Sequence, residues 1–274
     1  SIFTACETLI NRISTDGNRG KNLGLYAFAF SASLMVGPAG LWLLRYGPWA
    51  PFCAAGMFCC CAALCVHPFI PDSKETVPER SIDLYFVRRI GVSLAAMLMA
   101  GFMEGALISL IPVWALRQGF VEAQAGALLF TFMLGHGALP PLMGMLGDRI
   151  GLRRGLAITY ALGSASFMTL VYFPQTMRIA AVLFCGGAAV GALYPLAVGL
   201  LAGALSSNEL PRGNALTMFC YGIGSIAGPF VPSLIMHVSV PESLFAVAAA
   251  LYLIALTSLF VMRRGGTETR AGVA

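Results

Sequence analysis

The sequence predicts an all-α polytopic membrane protein, and three observations carry that prediction. The 274 residues are 58% hydrophobic and only 11% charged, against roughly a quarter charged in soluble domains. The polar residues gather into short intervals between apolar runs long enough to cross about 30 Å of hydrocarbon. Assigning successive intervals to alternate sides of a bilayer puts all of the 17 Lys and Arg on one side except Arg45, Arg117 and Arg178. That bias marks the cytoplasmic face, and a wrong span count would scramble it. The net charge of +5 is then a matter of topology, and implies no nucleic-acid partner.

Taken in order, Ser1 to Ile10 is apolar but too short to span, and reads as the last half of a membrane helix. Asn11 to Asn22 is a polar loop carrying Arg12, Arg19 and Lys21, and Leu23 to Leu44 is a charge-free span with Gly37-Pro38 late in it. A turn at Arg45-Tyr46-Gly47-Pro48 leads to a span over Pro51–Phe69, closed by His67-Pro68. Residues 71–89 form the longest polar interval, with two prolines and eight charges, and make the best domain boundary. Six spans follow, over Ile90–Leu116, Ala123–Leu146, Leu156–Phe173, Ile179–Leu205, Ala215–Met236 and Leu244–Met262. The division is thus residues 1–70, a cytoplasmic linker 71–89, a six-helix unit 90–264 and a cytoplasmic tail 265–274.

The two parts echo each other. Arg19-Gly20 precedes a span carrying Gly37-Pro38, and Arg212-Gly213 precedes one carrying Gly228-Pro229. Tyr26 and Tyr221 lie early in the same two spans. Together with the matching topology, this favours two related halves, the first cut short.

Between two spans lies Gly144-Met145-Leu146-Gly147-Asp148-Arg149-Ile150-Gly151-Leu152-Arg153-Arg154. Gly144 admits a close helix neighbour, Gly151 suits a reversal with φ > 0, and the arginines hold the loop on the cytoplasmic side. Asp148 is a lone carboxylate suited to the positive N-terminal end of a helix. This stretch resembles the G-x-x-x-D-R-x-G-R-R loop of the major facilitator superfamily, with Leu152 where a first basic residue is usual. Glu7-Thr8-Leu9-Ile10-Asn11-Arg12 followed by Arg19-Gly20 is similar to the E-S-W-L-N…R-G stretch of the YcaD-like branch, with Leu9 replacing the tryptophan. Gly101-Phe102-Met103-Glu104-Gly105 and Leu193-Tyr194-Pro195-Leu196 fit the same branch.

The resemblance implies the major facilitator fold, two bundles that rock about a central cavity. The chain would then begin late in helix 4, lack helices 1–3, and continue through helices 5–12. It also implies a bacterial inner-membrane transporter, monomeric, with its C-terminus cytoplasmic and with a small solute, protons and the lipid bilayer as its partners. The repeat symmetry would set Asp148 near the cytoplasmic start of the Leu23–Leu44 helix. Close packing is expected at Gly187/Gly191 and Gly224/Gly228, and breaks in the spans at Pro38, Pro112, Pro140-Pro141, Pro195 and Pro229.

Few ionisable groups interrupt the spans. Glu104 stands near the middle of its helix, where a charge costs about 2.5–3.5 kcal/mol on insertion scales. Its functional reading is proton coupling or binding of a cationic solute; its structural reading is a neutral carboxyl bonded to a neighbouring helix. Gly101 and Gly105 are expected to leave room beside it for a partner or solute. His136, in Gly135-His136-Gly137, reads first as a satisfied structural histidine and second as a proton relay. His67 suits a cap, Glu7 a gating salt bridge or a solvated charge. Tyr26, Tyr194, Tyr221 and Trp114 suit a cavity wall or plain packing.

Cys53, Cys59, Cys60, Cys61, Cys65, Cys185 and Cys220 sit in apolar spans, where cysteine acts as a small hydrophobe. No spacing suggests a metal or another cofactor, and no triad or phosphate loop suggests an enzyme. The leading expectation is a proton-coupled secondary transporter working by alternating access. The alternatives are an efflux antiporter for hydrophobic drugs or metabolites, and a non-transporting membrane protein or membrane enzyme on a similar fold.

Overall fold

The computed structural model describes residues 45–66, 83–138, 140–173, 178–206 and 208–271, with positions 6, 10, 22, 25, 26, 29, 33 and 43 besides. All regular structure among them is helical. The helices are α1 (Ala50–Val66), α2 (Leu84–Arg89), α3 (Gly91–Arg117), α4 (Glu122–Ala138), α5 (Pro140–Ile150), α6 (Leu152–Tyr172), α7 (Ile179–Ala204), α8 (Leu210–Val238) and α9 (Ser243–Ala271). By length and composition α3, α6, α7 and α8 are each able to cross a membrane. The spans expected after the linker match α3 to α9 in order. Leu23–Leu44 lies outside the described residues except at Leu25, Tyr26, Ala29 and Ser33, which are helical, and at Leu43, in a 3-10 turn.

Two boundaries differ from expectation. Residues 84–89, placed in the linker, form α2, whose N-terminus is capped by Asp83 accepting from the Phe86 amide at 2.8 Å. Phe86 is buried, and with Ile90, Leu201, Leu205 and Leu210 it forms a small cluster at this end of the bundle. The last helix does not stop with the apolar run at Met262 but continues to Ala271. Within the span 123–146, α4 is described as far as Ala138 and α5 from Pro140, and Leu139 lies outside the described residues.

The breaks expected at Pro112, Pro195 and Pro229 are not present. Pro112, Pro195, Pro229 and Pro232 all lie inside continuous α3, α7 and α8. At Pro229 the physical reason is visible. The residue that loses its ladder donor is Ser225, four before it, and the Ser225 carbonyl lies against the backbone of Gly105 on α3. A neighbouring helix thus covers the freed group, as membrane helices allow.

The core centres on α3 and α7. Met97, Met103, Leu107 and Ile111 of α3 are fully buried, as are Leu193, Leu196 and Ala197 of α7. Trp114 is fully buried too and meets Phe245 edge-on, 4.8 Å between centroids. The ladder continues through Phe167, stacked on Phe245, and Tyr252, edge-on to Tyr160. Trp114 is therefore packing, and α6 and α9 close that flank of the bundle. On α8, by contrast, Phe219, Ile226, Phe230 and Leu234 stay exposed. So do Phe52, Phe58, Leu64 and all five cysteines of α1.

Candidate functional site

Helix packing at the site is set by glycine. A Cβ on Gly101 would overlap the Tyr221 carbonyl, and one on Gly105 the Ser225 carbonyl. In the reverse direction Gly224 abuts the Leu98 carbonyl and Gly228 the Phe102 carbonyl. α3 and α8 therefore touch backbone to backbone, closer than any larger residue allows. The same holds for α4 and α7, where Gly135 abuts the Phe184 carbonyl, Gly187 that of Phe132 and Gly191 that of His136. The packing expected of Gly187/Gly191 and Gly224/Gly228 is present. The room expected beside Gly101 and Gly105 is not, because the backbone of α8 fills it.

This packing brings three expected site residues together. Glu104 Oε1 lies 2.6 Å from His136 Nε2, and Tyr221 donates its hydroxyl to Glu104 Oε2. Both carboxylate oxygens are thereby engaged. Glu104 is 7% and His136 3% exposed, so the pair is shielded from solvent, while Tyr221 is half-buried. Tyr194 of α7 stands edge-on to Tyr221, 6.4 Å between centroids at 87°. With the carboxylate charged, Nε2 carries the proton and donates it. His136 Nδ1 is buried without a hydrogen-bond partner among the described residues. Glu104 is the one buried carboxylate among them. The arrangement links an imidazole, a carboxylate and a phenol from three helices in one hydrogen-bonded chain.

The pairing of Glu104 with His136 is not in the sequence expectations, although each residue is. The helix ends of the structure show the two at matched depth. Glu104 stands thirteen residues before the end of α3, and His136 fourteen after the start of the antiparallel α4. At 1.5 Å per residue both sit about 20 Å from that end.

In the Asp148 loop, Gly151 has φ +94° and ends α5 directly before α6. Its amide donates to the Gly147 carbonyl at 2.8 Å and its carbonyl accepts from Arg154 and Gly155. Gly147 and Gly155 both press on Leu196 of α7. Arg149, Arg153 and Arg154 are exposed. The surroundings of Gly144 and the side chain of Asp148 lie outside the described residues, as do Glu7, Arg19, Gly20, Gly37, Pro38 and His67. Tyr26 is helical and half-buried.

Two ties hold the ends of the α3/α8 pair. At one end Arg89 reaches Glu209 at 3.2 Å, the Ser206 amide and hydroxyl donate to the same carboxylate, and Arg212 lies 5.1 Å over the Phe86 ring. The Ser206 amide, with Arg89 behind it, holds the Glu209 carboxyl below the usual range. At the other end Arg117 donates to the Met236 carbonyl at 2.8 Å and Gln118 donates to Glu242, so the last turn of α8 is capped by a neighbour. Gly213 packs against Leu201 and Leu205.

Spanning helices packed backbone to backbone around a buried carboxylate–imidazole pair define an integral membrane protein. The sequence model of the Major Facilitator Superfamily matches residues 92–272. The chain belongs to that superfamily, and membership points to a transporter. It is similar to the uncharacterized MFS-type transporter YfkF of Bacillus subtilis (strain 168), 29% identical over 87% of this chain and 63% of the relative. An uncharacterized MFS-type transporter of Yersinia enterocolitica is 27% identical over 94% of the chain and 68% of its own length. YcaD of Salmonella heidelberg (strain SL476), of the branch the sequence resembles, is 25% identical over 97% and 69%. The chain thus spans less than two thirds of the length of the Bacillus relative.

Proposed function

We propose that the protein is a secondary active transporter that moves a small solute by alternating access, coupled to protons at Glu104. One observation carries this reading: the one buried carboxylate among the described residues lies near mid-span, bonded to a histidine and a tyrosine from two other helices. An ionisable group at such depth is expensive to keep and marks an ion or substrate path by default. The bond to a half-buried phenol supplies a way in from the face that α8 leaves open. On this reading the protein sits as a monomer in the bacterial inner membrane with its C-terminus in the cytoplasm. The Asp148 loop bridges the two halves when the cytoplasmic side is closed.

The test is flux in vesicles carrying the protein as expressed from its own gene, with a pH-sensitive dye inside and an imposed pH gradient. Solutes are offered one at a time. The reading expects at least one solute whose addition moves protons in a saturable way. A solute that crosses saturably with no proton movement, and no effect of the gradient on its accumulation, contradicts the coupling.

A further inference from the structure

The short helix α2 packs on one side only. Phe86 and Ile90 turn inward, into the cluster with Leu201, Leu205 and Leu210. The helical period puts Leu84, Tyr85, Arg88 and Arg89 together on the opposite face. Leu84 is 66% and Tyr85 75% exposed, and both arginines are exposed as well. Arg89 is held by Glu209, whereas Arg88 has no ion-pair partner among the described residues. Two large apolar side chains beside an unpaired guanidinium do not suit water, and no described residue buries them. The position of α2 shows what can. α3 follows it directly, with the Leu94 amide donating to the Ile90 carbonyl. The 27 residues of α3 rise about 40 Å, roughly 10 Å more than the hydrocarbon layer. A membrane-centred α3 therefore sets α2 in the headgroup layer, the level at which tyrosine rings sit.

We propose that the outer face of α2 binds an anionic phospholipid, with Arg88 on the headgroup phosphate and Leu84 and Tyr85 against the upper acyl chain. A guanidinium presents a planar fork of donors that matches a phosphate bidentately. The rim around it favours negative charge. Leu152, at the start of α6, packs on Gly199 of α7, two residues before Leu201 of the α2 cluster. The start of α6, with the exposed Arg153 and Arg154, thus stands at nearly the level of α2. Neither arginine has an acidic partner among the described residues. The two described carboxylates beside α2 are already engaged, Asp83 by the Phe86 amide and Glu209 by Arg89 and Ser206. Positive charge is left over at this rim, and a zwitterionic headgroup brings no net charge to offset it. The site stands apart from Glu104 and does not rest on proton coupling there; it rests on α3 spanning the membrane.

The test is fluorescence quenching in nanodiscs of mixed lipid, on the full protein with its native cysteines replaced by alanine. An apolar fluorophore is attached at Leu84→Cys and, in a separate preparation, at Val238→Cys, exposed at the far end of α8. Phosphatidylglycerol or phosphatidylcholine, spin-labelled high on the acyl chain and present as a minor fraction, serves as quencher. The expected result is stronger quenching by phosphatidylglycerol at position 84 and equal quenching by the two lipids at position 238. Arg88→Gln lowers the preference at position 84 about fivefold, the effect of one basic side chain at an anionic surface. Equal quenching by the two lipids at position 84, with Arg88 in place, overturns the headgroup site whether or not the Arg88→Gln variant folds. So does a preference of the same size at both positions, which is a property of the lipid mixture. Quenching by neither lipid overturns the placement of α2 in the headgroup layer. A preference that survives Arg88→Gln overturns the role of Arg88. One abolished by inorganic phosphate at constant ionic strength marks a site for a soluble anion and overturns the lipid assignment.

Discussion

Tyr221 shows what one hydroxyl does at this depth. Its ring packs edge-on against Tyr194 while its oxygen donates to Glu104. Tyr221→Phe keeps the ring and removes the donor, leaving a buried carboxylate with a single partner. Hydrogen bonds to charged groups contribute about 1.5–3 kcal/mol, so the variant loses stability of that order at neutral pH. Chemical denaturation in detergent, followed by the exposure of the buried Trp114, reads it. An unchanged midpoint contradicts that contribution. The residue types were legible in the sequence because charge is rare in spans, so Glu104 and His136 stood out singly. Their bond was not legible, because it depends on matched depth in two antiparallel helices, and no local pattern encodes that.

At the scale of elements, the glycine contacts make a sharp prediction. A Cβ at Gly191 meets the His136 carbonyl and at Gly135 the Phe184 carbonyl, both backbone atoms that cannot rotate away. Gly191→Ala and Gly135→Ala each cost about 1–3 kcal/mol, the range for overpacking. Gly126, with nothing near its Cβ position, tolerates alanine. Equal thermal midpoints for Gly191→Ala and Gly126→Ala in a thermal-shift assay contradict the packing. Helix order, span positions and the paired glycines were legible, since apolar length and small-residue spacing are local. The continuity of α8 through Pro229 was not, because the group that proline frees is covered by α3, a hundred residues earlier.

The Arg89–Glu209–Ser206 tie belongs to the same scale and carries a pH dependence. The fold depresses the Glu209 carboxyl, chiefly through the Ser206 amide. Its stabilising effect is therefore present above the unfolded carboxyl range and lost as pH falls through the lower, folded value. Exchange of the Ser206 amide, corrected for its intrinsic rate, accelerates only in that acid window, and Glu209→Gln removes the step. A step at neutral pH contradicts the assignment.

For the whole molecule, helices α3 to α9 pack as one bundle. α3 and α7 form its centre, and α8 turns an apolar face outward with Phe219, Ile226 and Phe230 exposed. We propose from the charge alternation that residues 71–89, 147–154 and 263–274 share the cytoplasmic side of the membrane. Thiol-specific probes on single cysteines placed there react in inside-out vesicles and not in intact cells. Labelling of the Asp148 loop from outside intact cells contradicts the topology. The overall class was legible because composition and loop charge answer to the bilayer itself, whereas the solute leaves no such mark on the spans described.

Coupling at Glu104 is the central claim, and its most direct measurement sets two fluxes side by side in the same vesicles. One is accumulation driven by a pH gradient; the other is equilibrium exchange of the same solute. Glu104→Gln preserves the size of the side chain and a hydrogen bond to His136 or Tyr221, but cannot release a proton. The account predicts that gradient-driven accumulation is lost while exchange continues. A Glu104→Gln protein that still concentrates its solute on a pH gradient contradicts it, and makes Glu104 a structural partner of His136 and Tyr221.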